Sequence, residues 1–336
     1  MEKYIGKCLD SLLIPEFDQV EVLVVNDGSK DRSSEIAHGY AERYPGSIRV
    51  IDKANGNYGS CINAALPLCT GRYVKILDAD DTFDTEAFSE FVKALIGIDS
   101  DVVITEYVVH DENGRIRVHE PYDRTGLQFG KAESLKTAIS RFGNTWIQMH
   151  QIAYKVSVLK SINYRQTEGI SYTDTEWAII PLYNCRNITF LDLVVYRYLT
   201  GRDGQTMAPE RISNSISQLI MVFKRLVDFY VDHPEYNVLK SSLLLMVFYR
   251  LEFLSFALLK NWGPPVAKQF HEFDGYLRLN CPELYSRMNE IEYDPNMKFN
   301  FIRDIRNRNY PNEYKVPLWR RAVLSAKIHI KRFCRK

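Results

Sequence analysis

The sequence lacks paired or clustered cysteines. Its six cysteines are scattered, none forms a Cys-x-x-Cys pair, and no group of cysteine and histidine has the spacing of a zinc site. In a chain of 336 residues this pattern predicts buried thiols in a reducing compartment. Residues 1–13 have the pattern of an amphipathic helix with charges inside it, which is not the pattern of a signal peptide.

The sequence also lacks a long uninterrupted apolar run. The most apolar segment, Ser241–Leu259, contains Arg250 and Glu252, so it predicts a core helix and not a membrane span. Apolar residues make up 46% of the chain and charged residues 25%, as in an ordinary soluble globular protein. No internal repeat or low-complexity segment is visible.

An overall basic field is absent as well. The formal net charge is +1, and the segment from Arg303 to the end has eleven basic and two acidic residues. That tail therefore carries 11 − 2 = +9, and the remainder carries 1 − 9 = −8. This distribution predicts no nucleic-acid partner. Residues 317–336 have the pattern of an interfacial helix that contacts anionic membranes, although packing on the protein itself would give the same pattern.

Strands and helices alternate along the first part of the chain. This alternation predicts an α/β fold whose sheet is mixed but mostly parallel and flanked by helices. Beyond Pro209 the pattern is helical to the end, which predicts two domains, 1–206 and 207–336, the second all-helical with a basic tail. Ligands of such sheets bind beyond the carboxyl ends of the strands. Asp27 and the acidic turn at residues 78–81 follow strands, so both are expected to face one crevice.

The acidic turn suggests a metal site. The buried strand predicted at Tyr73–Leu77 is followed directly by three carboxylates: Asp78, Asp80 and Asp81. Close carboxylates repel and raise one another's pKa unless a cation compensates them. Mg²⁺ and Mn²⁺ prefer carboxylates, water and phosphate, so the turn fits a metal ion with a diphosphate. The alternative is a solvated loop that starts the helix beginning near Glu86.

Four segments resemble glycosyltransferase family 2, the inverting nucleotide-sugar transferases with the GT-A fold. They are Val24–Asp31, Asn57–Ala65, Gly71–Asp81 and Ser171–Asp174. The resemblance covers about residues 1–205, and the first and third segments carry most of it. It implies a GT-A, Rossmann-like fold, a nucleotide-sugar donor and a divalent metal ion, Mn²⁺ or Mg²⁺.

The resemblance also implies roles for the donor side of the site. Asp27 would bind the base or ribose of the nucleotide, and helix capping is compatible with that role. Asp78 and Asp80 would form the Asp-x-Asp site, in which Asp80 meets the metal and Asp78 contacts ribose or metal-bound water. Lys53 would reach a phosphate, although a solvated surface lysine is the alternative.

On the acceptor side the resemblance implies a catalytic base. Inversion needs a carboxylate that removes the acceptor proton, and Asp174 stands in that position ahead of a helix. Its alternative role is to cap that helix; Glu176 is the fallback base, and Trp177 is expected in the core. Arg202 and Gln205 lie on a glycine-flanked loop that could fold over a diphosphate, and a plain surface charge is the alternative for Arg202.

The chain departs from the family pattern at its start. Members of the family open with an apolar strand ending in Pro-x-Tyr/Phe-Asn, and this chain begins at the following helix. The strand at Val20–Val25 would then lack its usual neighbour and leave an unpaired edge. We therefore expect about ten to twenty further residues, including that strand, encoded in frame upstream of Met1.

Together with the acidic turn, the resemblance implies a metal-dependent inverting glycosyltransferase of surface-polysaccharide synthesis. The donor would be a nucleotide sugar, UDP-linked by expectation. The acceptor would be a glycan or a lipid-linked sugar, and the protein would be cytoplasmic or peripheral at the inner face of the plasma membrane. The alternative is a non-catalytic GT-A-like protein that binds nucleotide sugars or glycans, or scaffolds an assembly. The missing strand favours that alternative and the acidic site opposes it.

Overall fold

A computed structural model describes most of the chain. The described residues are 1–119, 124, 126–142, 147–201, 215–233, 261–290 and 300–314. The chain divides into two compact units, Met1–Leu251 and Glu252–Lys336. The expected boundary at residue 206 stays a prediction. The segment at 241–259 and the tail at 317–336 lie outside the described residues.

The first unit contains strands and helices in alternation, as the pattern predicts. Its described strands are β1 (Val22–Asp27), β2 (Ile48–Lys53), β3 (Tyr73–Lys75), β4 (Thr82–Phe83), β5 (Val102–Asp111), β6 (Ile116–His119), β7 (Ala132–Ser134), β8 (Ile152–Lys155) and β9 (Asn187–Thr200). Its described helices are α1 (Ile5–Asp10), α2 (Ser33–Arg43), α3 (Asn57–Ala65), α4 (Thr85–Gly97), α5 (Leu135–Phe142), α6 (Val156–Ser161), α7 (Asp174–Ile179) and α8 (Ile216–Asp232).

The strands form two sheets. In the first, β1 and β2 pair in parallel, with Val22 opposite Ile48 and Asp27 opposite Lys53. The second has the order β3-β8-β5-β9-β4, with β6 added to β5 and β7 added to β9. The parallel pairing places the carboxyl ends of β1 and β2, and therefore Asp27 and Lys53, side by side.

The mixed α/β prediction is confirmed, but parallel pairing does not predominate in the described strands. Besides β1–β2, β5 pairs with β9 in parallel, and the five pairings of β3–β8, β4–β9, β5–β6, β5–β8 and β7–β9 are antiparallel. Strand–helix alternation predicts parallel neighbours only up to β5. Beyond it, β6 returns through the tight turn Asp111–Gly114, in which Gly114 has a φ of +74°.

The core is complete around β5 and β8 and incomplete beside β1 and β3. Val103, Ile104 and Ala153 are fully buried, whereas every residue of β1 and β3 keeps part of its surface exposed. A cavity of about 720 Å³ has both of these strands in its walls. We call it the β1–β3 cavity. Residues of α1, among them Ile5 and Leu9, also line it.

The helix α8 packs against the same unit as the site. Tyr183 and Phe229 meet edge to face with ring centroids 4.7 Å apart. Gln218 of α8 accepts a hydrogen bond from the backbone N–H of Ser171 at 2.9 Å. A helix beyond residue 207 therefore supports the loop that precedes α7.

The described part of the second unit is helical, as expected. Its helices are α9 (Pro264–Asn280), α10 (Pro282–Arg287) and α11 (Phe301–Asn307). A buried ion pair joins α9 to α11, since Arg306 Nε donates to Asp274 at 2.8 Å. Tyr310 also donates to Asp274, at 2.5 Å, so the buried carboxylate is well satisfied. Within the described ranges, no helix has both the length and the apolar character needed to span a bilayer.

Candidate active site

A hydrogen-bonded group holds Asp27 at the carboxyl end of β1. Its carboxylate accepts from Lys53 Nζ at 2.6 Å and from the backbone N–H of Gly56 at 2.9 Å. Burial pushes the pKa of Asp27 upward, but the hydrogen bonds from Lys53 and Gly56 outweigh it and lower the pKa. Asp27 is thus a fixed anion at the crevice edge.

Lys53 is the partner of Asp27 in this structure. Its ammonium also donates to Ala54 O at 2.6 Å and to Ser60 Oγ at 2.8 Å. All three of its protons therefore have acceptors without a ligand. Lys53 lies at the predicted place, and its reach toward a phosphate stays a prediction.

The acidic turn after β3 is anchored by Asp81. This carboxylate accepts from Tyr196 Oη at 2.6 Å and from the backbone N–H of Leu199 at 2.7 Å, which ties the turn to β9. Burial and, secondly, the charge of Asp78 raise the pKa of Asp81 to about 8. Asp84, whose side chain accepts from Ala87 N, is the cap of α4. Asp81 therefore organises the turn and does not cap the helix.

One group of described side chains has the chemistry of a metal site. A ligand atom from each of Asp78, Asp81 and His150 lies within 4.8 Å of the other two. Two carboxylates and an imidazole suit Mn²⁺, and the carboxylates also suit Mg²⁺. Asp78 is the predicted residue in this group, while Asp80 as a metal ligand stays a prediction. The residues present thus fit a divalent cation.

Aromatic rings position His150. Its ring stacks on Tyr107 with centroids 5.2 Å apart, and it meets Tyr196 edge to face at 4.6 Å. Its carbonyl accepts a hydrogen bond from Lys75 Nζ at 2.6 Å. The family resemblance places His150 where members often have a residue that contacts the acceptor or a phosphate, but a single histidine without spaced partners is more often structural.

Lys75, the last residue of β3, carries a buried ammonium. It donates to His150 O and, at 3.3 Å, to Thr105 Oγ1. Burial lowers the pKa of Lys75 from 10.5 to about 7. Lys75 keeps some exposed surface, and that surface faces the β1–β3 cavity.

This shift makes stability depend on pH with a definite sign. Between its folded pKa of about 7 and its unfolded value of 10.5, Lys75 binds fewer protons in the folded state. The contribution of Lys75 to the free energy of unfolding should therefore rise with pH in that window, by up to about 1.4 kcal/mol per pH unit. Lys75→Met, which matches the shape, should lack this rise.

Urea unfolding of both proteins at about pH 7 and about pH 9 would measure it. Asp81 titrates in both proteins, so the difference between their two curves isolates Lys75. Curves that stay parallel across the window would contradict the assignment of the shift to Lys75.

Asp174 occupies the first position of α7, with Thr173 as the N-cap residue. The side chain is half-buried, and its carboxylate accepts no hydrogen bond from the described residues. Since it caps nothing, the capping role considered for Asp174 is not what the structure shows. A carboxylate that is partly enclosed and available to accept a proton has the properties of a general base.

Glu176 and Trp177 have structural roles. Glu176 Oε2 accepts from the backbone N–H of Thr167 at 2.9 Å and lies 3.5 Å from Arg225 Nε. Burial raises the pKa of Glu176. Trp177 is fully buried, as expected for a core residue, and its carbonyl accepts from Tyr154 Oη.

Two tyrosines show that the carboxylates share one neighbourhood. Burial, and then the charges of Asp81, Asp78, Asp80 and Asp174, raise the pKa of Tyr198 to about 12. Burial and the charges of Asp78 and Asp174 raise the pKa of Tyr58 well above its usual value. The structure therefore brings the acidic turn and Asp174 together, although nearly a hundred residues separate them in the chain. Arg202 and Gln205 lie outside the described residues.

Comparison with known proteins identifies the N-terminal part of the chain. The family model for glycosyl transferase family 2 matches residues 1–160. Residues 1–160 belong to glycosyltransferase family 2. The family 2 resemblance seen in the sequence motifs is thereby confirmed.

Curated relatives carry the same description. EpsJ of Bacillus subtilis (strain 168), an uncharacterized glycosyltransferase, is 37% identical over 213 residues, which are 62% of this chain and 61% of that protein. YibD of Escherichia coli (strain K12), also an uncharacterized glycosyltransferase, is 27% identical over 196 residues, 57% of this chain and 56% of that protein. The chain spans about half the length of the curated relatives it matches.

A solved structure supports the GT-A fold. The crystal structure of Staphylococcus aureus TarS 1-349 in complex with UDP-GlcNAc is 20% identical to this chain, with a TM-score of 0.52. The match covers 94% of this chain and 91% of that one. At this identity the likeness shows the fold alone, and the predicted GT-A fold is confirmed.

Proposed function

We propose that the protein is an inverting glycosyltransferase that moves a sugar from a nucleotide-sugar donor to a glycan or lipid-linked acceptor. The observation that supports this proposal is that two pairs of these carboxylates have neighbours in common. Asp27 and Asp78 line the same cavity. Besides burial, the charges of Asp78 and Asp174 both raise the pKa values of the Tyr58 and Tyr198 hydroxyls. The reaction needs three things: a contact to the donor nucleotide, a site for a divalent cation and a general base.

Asp27 supplies the contact to the donor nucleotide. As an anion it accepts hydrogen bonds, which suits a ribose hydroxyl or a base N–H and not a phosphate. The donor we propose is UDP-linked, and TarS, crystallised with UDP-GlcNAc, supports that choice. Arg202 and Gln205 remain the proposed contacts to the diphosphate.

The acidic turn supplies the cation site. Asp78 and Asp80, with Asp81 and His150 beside them, would hold Mn²⁺ or Mg²⁺. A divalent ion bound there supplies Lewis-acid neutralisation of the leaving diphosphate. The chain's own part is to keep Asp81 fixed on β9, so that the turn presents its carboxylates toward the crevice.

Asp174 supplies the base. Its carboxylate takes the proton from the acceptor hydroxyl as that oxygen forms a bond to the anomeric carbon. The bond from this carbon to the diphosphate oxygen breaks, and the nucleoside diphosphate leaves with the electron pair. Attack from the face opposite the leaving group inverts the anomeric configuration.

A further relative of this chain bears on the class of acceptor. GgaB of Bacillus subtilis (strain 168), a minor teichoic acid biosynthesis protein, is 28% identical over 121 residues, 35% of this chain and 13% of that protein. This supports an acceptor in the synthesis of a surface polymer. Contact of residues 317–336 with an anionic membrane would bring the site to a lipid-linked acceptor at the inner membrane face.

The deciding experiment is a screen of the purified protein with Mn²⁺ against a set of nucleotide sugars. Released nucleoside diphosphate is the readout, with and without candidate acceptors. Binding of nucleotide without release from any donor would instead support the non-catalytic binding protein. No binding of any nucleotide would contradict both.

The metal assignment makes a separate prediction. Asp80→Ala should lower the affinity for UDP in the presence of Mn²⁺ by about tenfold or more, because a ligand of the ion is lost. Titration calorimetry with Mn²⁺ and with EDTA would measure it. Glu42→Ala, which removes an exposed acid on α2, is the matched control and should bind as the wild type does. An Asp80→Ala protein with undiminished, Mn²⁺-dependent affinity would remove Asp80 from the site.

A further inference from the structure

A loop whose two ends are hydrogen-bonded to each other precedes Asp174, the proposed base. Residues 166–173 run from the side of α3 to the N-terminus of α7. At the start of the loop, Asn63 of α3 accepts from the backbone N–H of Gln166 at 2.9 Å and donates to its carbonyl at 2.8 Å. At the end of the loop, Gln166 Nε2 donates to Thr173 O at 2.8 Å and to Thr173 Oγ1 at 3.0 Å. One glutamine thus joins both ends of the loop to α3.

The loop is buried and tightly held at these contacts. Gln166 is 3% exposed and Thr173 is fully buried. Gly59 of α3 approaches Thr167 so closely that an added Cβ would lie 2.0 Å from the Thr167 carbonyl oxygen. Only glycine permits this approach. Because Thr173 is fixed, the backbone of the next residue, Asp174, is fixed as well.

The same loop is connected to the donor side. The backbone N–H of Gly56 donates to Asp27, and the carbonyl of Gly56 accepts from the N–H of Gly169 at 2.8 Å. Gly56 therefore contacts both the Asp27 carboxylate, on the donor side, and Gly169 at the tip of the loop. Neither contact depends on α7 itself, so the loop is a separate bridge between the two halves of the crevice.

Backbone strain marks the end of the loop. Tyr172 has a φ of +66°, in the left-handed region that a bulky residue seldom adopts. Such a conformation persists only where the surroundings hold it. The hydrogen bonds from Gln166 to Thr173 lie one residue away and supply that restraint.

We propose that Gln166, held by Asn63, is a positioning residue for Asp174. This inference rests on the proposed function. Gln166 does not touch substrate. It fixes the Thr173 carbonyl and hydroxyl, and so sets where the Asp174 carboxylate lies relative to the acidic turn. Through Gly169 and Gly56 the same loop keeps Asp174 in register with Asp27.

The test uses variants that keep the size of the side chain and remove its hydrogen-bond donors. Gln166→Met loses both hydrogen bonds to Thr173 and keeps the backbone contacts with Asn63. Asn63→Asp keeps the acceptor for Gln166 N and loses the Nδ2 donor to Gln166 O and to Glu168 Oε1. Glu168→Gln is the matched control, since it keeps an acceptor oxygen for Asn63 Nδ2 and removes only the charge of an exposed residue of the same loop. Thermal unfolding would show that each variant is folded.

We expect Gln166→Met to lower kcat by about tenfold to a hundredfold, as misplacement of a reacting group does. The Kd for UDP should stay within about twofold, because the donor contacts at Asp27 remain. The acidic limb of the kcat–pH profile should also move, since it reports the base. Asn63→Asp should act in the same direction, and Glu168→Gln should leave all three quantities unchanged. A Gln166→Met enzyme with wild-type kcat and pH profile would overturn the proposal.

Amide hydrogen exchange separates this proposal from the proposed function. In the ligand-free protein, amides of residues 173–177 should exchange faster in Gln166→Met than in the wild type or in Glu168→Gln. If the wild type transfers no sugar, the proposed function fails, and this exchange still decides whether Gln166 holds the segment. Equal exchange rates in all three proteins would overturn the positioning role by themselves.

Discussion

Asp174→Asn should leave donor binding intact and abolish sugar transfer. The amide has the shape of the carboxylate and cannot take a proton from the acceptor hydroxyl, so a rate loss of about a hundredfold or more is expected. The Asp174 carboxylate accepts no hydrogen bond within the described residues, so the exchange should cost little stability. Single-turnover transfer with the donor found in the screen would measure the loss, and calorimetry with UDP would show retained binding.

Glu176→Gln is the matched control for this prediction. It lies two residues further along α7, where its carboxylate accepts from Thr167 N and pairs with Arg225. Its loss should lower stability and leave the chemistry of the remaining folded enzyme largely unchanged. Transfer by Asp174→Asn at a rate near the wild type's would place the base elsewhere. Loss confined to Glu176→Gln would assign the base to Glu176.

The positions of the donor-side residues in the fold could be predicted from the sequence. Asp27 ends β1 and Asp78 lies three residues beyond β3, and strand ends are where α/β sheets place ligands. The two lysines were less predictable. Lys53 ends β2 and Lys75 ends β3, yet their partners differ: Lys53 donates a hydrogen bond to the Asp27 carboxylate, whereas Lys75 donates to His150 O. Strand patterns do not show which partner a lysine meets.

Residues that act through tertiary packing could not be read from the sequence. Tyr196 and Tyr198 look like ordinary β-strand residues, and their position beside the carboxylates appears only once β9 pairs with β4 and β5. The link from Asn63 to Gln166 spans 103 positions and uses a backbone N–H and C=O that every residue has. Antiparallel pairing of β8 with β3 and β5 likewise follows from long connections and not from a local pattern.

The largest expected change in stability concerns the β1–β3 cavity. This cavity of about 720 Å³ is partly open, and its walls are mainly apolar. Covering apolar surface stabilises a protein by about 25 cal/mol per Å². Filling this cavity should therefore stabilise the protein by several kcal/mol.

The shape of the cavity specifies what should fill it. β1 pairs with β2 and β3 pairs with β8 among the described strands, so each presents its other edge toward the cavity. Only an extended backbone offers hydrogen-bonding groups to both edges at once. The helix α1 lines the cavity and leads into β1, which is the arrangement of a crossover between two parallel strands. One apolar strand placed ahead of α1 fits both edges.

A version of the protein with an added strand ahead of Met1 should thus be markedly more stable. A segment of six Val, Ile and Thr residues, joined by a short polar turn, should raise the free energy of unfolding by about 3 kcal/mol or more. That corresponds to about 6 °C or more in Tm for a domain of this size. The amides of β1 and β3 should exchange more slowly, and binding of UDP should tighten because Asp27 ends the strand so paired.

The control is a segment of equal length and composition apart from two central proline residues. Proline cannot donate to the ladder of either edge, so this version should gain neither the Tm nor the protection of β1 and β3. Equal Tm and equal exchange for the two versions would show that the cavity does not accept a strand. Protection of β1 without β3 would mean that the added segment pairs with one edge only. The cavity would then remain, and the tighter binding of UDP expected from a completed sheet should be absent.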